Sequence, residues 1–171
     1  DQIRRIDILG LDARLKQVEI VIASDVNNPL TGVNGASHVF GPQKGATAEM
    51  VQQLDQNLTY FAELVSQQLN IDVKEIAGAG AAGGLGFGLM VFAGAGIRSG
   101  VELVIEQTQL AEKIAQADYV FTGEGGIDFQ TKLGKTPYGV AQVAKRLNKP
   151  VIAFAGLVGD GIDELYDLGF S

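Results

Sequence analysis

Apolar residues recur at helical spacing between Thr47 and Asn70: Met50, Leu54, Leu58, Phe61, Leu64, Val65 and Leu69 share a face, with Gln and Glu on the remaining positions. The pattern predicts an amphipathic helix. Upstream, Leu9-Gly10-Leu11-Asp12 reads as a turn, and the Val- and Ile-rich run Val18-Glu19-Ile20-Val21-Ile22 reads as a strand. Downstream, Ile76 to Ile97 carries no charged residue and is long enough to meet the length criterion for a membrane span. Its density of Gly and Ala makes it only modestly apolar and a poor helix former overall. The better expectation is a glycine-rich turn entering a buried helix near 85–93, with small residues that let another backbone approach.

Beyond Arg98 the texture becomes a conventional α/β alternation. Val101 to Ile105 is apolar, Leu110 to Ala117 predicts a short helix with Thr108 as its N-cap, and Asp118 to Thr122 predicts a strand. A helix from Pro137 to Asn148 follows, with Val140, Val143, Ala144 and Leu147 as its buried stripe, and Lys149-Pro150 turns the chain into a strand over Val151 to Ala155 that ends at Gly156. Strand, helix, strand at these lengths implies a parallel βαβ unit. The expected fold class is therefore α/β, organised as two units, 1–98 and 99–171, that meet near Arg98 to Gly100.

Composition narrows the partners. A length of 171 residues with 46% hydrophobic content supports a packed core. The net charge of −7 and pI near 4.6 argue against nucleic acid, since clustered Lys and Arg are what hold a phosphate backbone. A phosphorylated small molecule stays open, because backbone N–H groups and one or two cations suffice for it. The absence of Cys removes disulfides and thiolate metal sites and fits a cytoplasmic location. No secretory signal opens the chain, no membrane partner is expected, and the opening Asp1-Gln2-Ile3-Arg4-Arg5 without Met reads as the interior of a longer polypeptide.

Three blocks carry candidate chemistry. Residues 23–46, directly after the first strand, concentrate Asp25, Asn27, Asn28, Asn34, Gln43 and Lys44 with Pro and Gly in one apparent loop system, where open α/β sheets place ligand crevices. Asp25 lies just past the strand, and Lys44 is suited to neutralise a carboxylate or phosphate. For Asp25 and Asn28 the competing reading is loop capping through side-chain to backbone bonds. His38, the only histidine, reads as structural filling in a strand.

The second block is Gly78-Ala79-Gly80-Ala81-Ala82-Gly83, which fits a dinucleotide-binding G-x-G-x-x-G and is followed by a strand-like Val101 to Ile105 ending in Glu106. A nicotinamide-dependent oxidoreductase is thus an alternative. The charged residues Lys74 and Glu75 in the preceding run speak against it and for close packing. The third block, Thr122-Gly123-Glu124-Gly125-Gly126-Ile127-Asp128-Phe129-Gln130-Thr131, sits at the carboxyl end of a strand and offers two acids able to hold Mg²⁺ or orient a hydroxyl. Solvated acids on a polar turn are the competing reading. Gly134-Lys135-Thr136 resembles the end of a phosphate-binding P-loop, but Phe129 stands where that motif requires Gly.

Taken in order, these three blocks, with Val151 to Gly156, resemble the type I glycerate kinases, ATP-dependent enzymes acting on D-glycerate. The resemblance spans nearly the whole chain and implies two α/β domains, one Rossmann-like, with the active site in the cleft between them. It implies ATP and Mg²⁺ as cofactors and phosphoglycerate, by the family's name the 2-phosphate, as product. On that reading Asp25, Lys44 and Asp128 are expected to be catalytic, with Asp25 the candidate base and Asp128 the alternative, and Asn28, Gln43, Gln130, Thr131 and Lys135 are expected to bind substrate. Gly123, Glu124 and Gly125 fall to the nucleotide, and Glu124 and Asp128 to the metal. Ser24 stands where the family has Cys. The family's Gly-Gly-Ser-Ala-Thr-Asn-Asp type motif and its Pro-Gly-Pro segment are not in this chain, so a non-catalytic fragment that needs the remainder of its polypeptide is a further alternative.

Overall fold

Cap chemistry sets the longest element. In the computed structural model, which describes residues 2–170, the Thr47 hydroxyl accepts the Met50 N–H at 3.3 Å and Asn70 closes the other end at φ 55°. Between them runs a 22-residue helix. In its first turn the Glu49 carboxyl is held below its ordinary range by its own backbone N–H and then by the Thr47 hydroxyl. This exposed acid therefore favours the folded state above the usual Glu range and ceases to as pH falls through the lowered value.

The chain divides into two units, one ending at Arg98 and the other beginning at Ser99. In the first, β1 (Val21–Ala23) precedes α1 (Ala36–Phe40), α2 (Ala48–Leu69), α3 (Leu85–Ala93) and β2 (Gly96–Arg98). The two strands pair in parallel, Val21 opposite Gly96 and Ala23 opposite Arg98. β1 is shorter and later than the run 18–22 suggests, because β2 offers only three residues to pair with. His38 lies in α1, not in a strand; α1 closes on itself through Val39 N to Gly35 O and Gly41 N to Ser37 O. The core joins Leu30, Ala62, Val65, Ala79, Phe87 and Val91, with the Phe61 ring edge-on to Phe87 at 6.0 Å.

The glycine-dense segment is a packing device. A Cβ at Gly80 would stand 2.3 Å from the Pro29 carbonyl oxygen, and one at Gly86 would stand 2.3 Å from that of Gly78. The Gly78 and Gly80 N–H groups both donate to the Asn28 carbonyl, at 3.2 and 3.0 Å. Neither structural context of a dinucleotide fingerprint is met: residues 73–77 form no strand, and Val101 to Ile105 lies within a helix. The nicotinamide reading is corrected on that ground.

The second unit runs α4 (Gly100–Gln107), α5 (Leu110–Ala115), β3 (Val120–Ile127), α6 (Thr136–Arg146), β4 (Val151–Val158) and α7 (Asp163–Asp167). α4 is helical because it supplies apolar side chains to α6: a Cβ at Gly139 would stand 2.3 Å from Val101 Cγ1. Thr108 closes α4 instead of opening α5, its hydroxyl donating to the Val104 carbonyl at 2.7 Å. The expected βαβ unit is present, with β3 and β4 parallel and Val120 opposite Val151. Both strands overrun their expected ends. Glu124 pairs with Ala155 and Gly126 with Leu157, so the glycine-rich block is strand, not loop, and the turn begins at Asp128. Glycine permits this: a Cβ at Gly123 would meet the Phe154 carbonyl oxygen at 2.5 Å. One sheet face packs with Ile114, Ala141, Val143, Ala144 and Leu165. The other shows Phe121 and Phe154 more than 60% exposed, their rings stacked at 5.8 Å.

Candidate functional site

β3 delivers Glu124 on the pleat side that carries Val120, while Gly123 and Gly125 alternate onto the open side with Phe121. Asp128, extended at φ −150° and ψ −172°, caps the 3-10 turn Phe129–Leu133: its Oδ1 accepts the Gln130 N–H at 2.9 Å. Gly134, at φ 108°, ends that turn and sets Lys135 at the N-cap of α6 with Pro137 in the helix's first turn. The result is a compact charged cluster. Lys135 Nζ lies 3.6 Å from Glu124 Oε1 and 3.7 Å from Asp128 Oδ1. The Thr131 hydroxyl donates to Glu124 Oε1 at 3.3 Å and accepts the Asp128 N–H at 3.2 Å. All three charged side chains are between about a quarter and a third exposed.

Of the residues expected here, Glu124, Asp128, Thr131 and Lys135 converge. Gln130 joins them through its backbone only and is exposed, and Gly123 and Gly125 stand on the other face. Gly123 has a packing reason, whereas a Cβ at Gly125 would meet nothing within 4 Å. Thr131 is fully buried and its hydroxyl is committed within the protein. Lys132 pairs with Glu164 of α7 and so pins the turn from behind.

In the first unit Asp25 is exposed two residues beyond β1, and Gln43 and Lys44 are exposed on the 3-10 turn Pro42–Lys44. The presumed single loop is thus broken by two short helical pieces. Asn28 is structural in its visible bonds: its Nδ2 donates to the Asn34 carbonyl at 2.8 Å. Lys44 borders a cavity of about 350 Å³ whose walls include Ser37, Phe40, Met50, Leu54 and Gly83. Asp55 of α2, which looks like part of a solvated face, anchors this region: its Oδ1 accepts the Gly32 N–H at 3.0 Å and lies 3.5 Å from His38 Nδ1. No spacing rule marks such an anchor in the sequence.

Among the described residues no three His, Cys, Asp or Glu side chains gather closely enough to hold a metal by themselves. Glu124 and Asp128 face one cation, and a pair of carboxylates completed by water and phosphate oxygens is how Mg²⁺ is commonly held. The donor set fits that ion in that shared mode. No helix among the described residues is long and apolar enough to cross a membrane.

Comparison with known proteins gives one consistent result. The model of the glycerate kinase family matches residues 1–171. A glycerate kinase of Haemophilus influenzae is 50% identical over 165 residues, covering 96% of this chain and 44% of that protein. A glycerate 2-kinase of Escherichia coli is 51% identical over 164 residues, covering 96% and 43%. A crystal structure from Salmonella typhimurium LT2, described in terms of glycerate kinase 2, superposes with a TM-score of 0.78 at 51% identity, over 91% of this chain and 43% of that one. The chain spans less than half the length of the curated relatives it matches.

Proposed function

From the premise that the chain belongs to the glycerate kinase family, we propose that its polypeptide transfers the γ-phosphoryl group of ATP to D-glycerate, giving 2-phosphoglycerate, as a cytoplasmic enzyme. The observation that carries this reading is the Glu124–Asp128–Lys135 cluster at the start of α6.

Phosphoryl transfer asks for positioning and charge neutralisation more than covalent chemistry. Lys135 and the N-terminus of α6, which no side chain caps, supply positive charge for the nucleotide phosphates. Glu124 and Asp128 would hold Mg²⁺, which when bound neutralises charge on the transferring phosphate. On the glycerate side, Lys44 neutralises the carboxylate and Gln43 orients a hydroxyl. Asp25 accepts the proton of the reacting hydroxyl as its oxygen bonds to the γ-phosphorus and the bond to the bridging oxygen of the departing ADP breaks.

The test is the full-length gene product with ATP, Mg²⁺ and D-glycerate, products separated by chromatography. Stoichiometric ADP and 2-phosphoglycerate are expected; intact glycerate after prolonged incubation overturns the kinase reading, and 3-phosphoglycerate overturns the choice of hydroxyl. In the same assay D25N is expected to lower kcat about 10²-fold, the low end for general acid–base catalysis, because a loose transition state asks little of its base. A D25N kcat within twofold of the parent removes Asp25 from that role.

A further inference from the structure

We propose that Thr131 is the positioning residue of the charged cluster, setting where Glu124 and Asp128 stand about Lys135; this rests on the kinase reading above. A hydroxyl has one donor and two acceptor lone pairs. The Thr131 hydroxyl donates to Glu124 Oε1 at 3.3 Å and accepts from the Asp128 N–H at 3.2 Å. Its backbone completes the set: the Thr131 N–H donates to the Asp128 carbonyl at 3.0 Å, and the Thr131 carbonyl accepts the Lys135 N–H at 3.3 Å. One residue is therefore hydrogen-bonded to all three members of the cluster, to the carboxylate of Glu124 and to the backbone of Asp128 and Lys135. It is also 0% exposed, so its hydroxyl has no open side toward a ligand. Thr131 thereby moves from the expected substrate contacts to the frame that holds the cluster.

Placement of this kind matters because the two carboxylates reach Lys135 at nearly equal distances, 3.6 and 3.7 Å. A displacement of about 1 Å at a reacting centre can cost on the order of 10²-fold in rate. Thr131→Val keeps the shape and removes both hydroxyl bonds, while Thr131→Ser keeps both bonds and removes only the methyl group. In the full-length protein T131V is expected to lower kcat about 50-fold with the KM for glycerate within twofold, on the scale of such a displacement. T131S is expected to recover most of that rate. Because Thr131 acts through Glu124, the effect of T131V should shrink in an E124Q background.

A second readout does not depend on turnover. The Asp128 amide, having lost its acceptor, should exchange with solvent at least tenfold faster in T131V than in the parent and T131S. If T131V does not fold, T131C, which keeps a poorer donor at the same place, takes its position in each comparison. Parent-like kcat in T131V, equal losses in T131S and T131V, additive effects with E124Q, or an unchanged Asp128 exchange rate each overturn the proposal. A parent enzyme that leaves glycerate untouched fails the kinase reading instead, and the exchange comparison then decides the role of Thr131 within the cluster.

Discussion

Lys135→Met is expected to reduce kcat for glycerate phosphorylation about 10³-fold, the upper range for removing one preorganised charge from a transition state. The Lys135 ammonium is the shared cation of Glu124 and Asp128 and stands at the N-cap of α6. With methionine there, the stem is nearly preserved, but two carboxylates face each other with no positive charge between them. On the proposed reading, their repulsion falls on the nucleotide phosphates. The folded state should suffer little, because Lys135 is 36% exposed and partly solvated ion pairs contribute at most about 1 kcal/mol. Steady-state kinetics and a thermal melt on the full-length protein check both halves. Activity within tenfold of the parent would show that the cluster is scaffolding for the turn and not part of the chemistry.

Gly86→Ala should destabilise the first unit by on the order of 3 kcal/mol, the cost of forcing a core to shift. Helix propensity alone argues the reverse, since Ala in a helix interior is favoured over Gly by about 1 kcal/mol. Packing decides. The new methyl would stand 2.3 Å from the Gly78 carbonyl oxygen, which is backbone and cannot rotate away. Moving it disturbs the turn whose Gly78 and Gly80 N–H groups hold the Asn28 carbonyl, and with it the segment that follows Asp25. Gly88 supplies the control within the same helix: a Cβ there meets nothing within 4 Å, so Gly88→Ala should gain about 1 kcal/mol. Urea denaturation of both variants measures the difference. Equal stabilities would mean that α3 is not locked against the turn.

Elements with a strong period were legible before any coordinates. α2 fills the interval read from its apolar period, with Thr47 and Asn70 as its caps, and α3 occupies 85–93, where the expectation rested on a buried apolar run behind a glycine-rich turn. The failures have a common cause. Gly123, Gly125 and Gly126 have low strand propensity, so β3 exists through its ladder with β4, a long-range term no local reading contains. Val101 to Ile105 has strand-like composition, yet Ser99 accepts the Glu102 N–H and Gly139 leaves room for Val101, which together make it a helix. In the charged cluster, Glu124 and Asp128 were visible as acids beside glycine. The Thr131 connections were not, because they need the 3-10 turn to fold the chain back onto β3. Asp55 was hidden for the opposite reason, a charge on an amphipathic helix being ordinarily solvated.

The stacked Phe121 and Phe154 rings have a further consequence for how the second unit is inherited and handled. Two strands form too narrow a ribbon to stand by themselves, and this one keeps aromatic side chains on the face away from its helices. Such a face ties the unit's solubility to its neighbours, so residues 99–171 are a poor module for transplantation into another protein. Substitutions at these two positions are expected to act through the company the sheet keeps, and not through Glu124 on the opposite face.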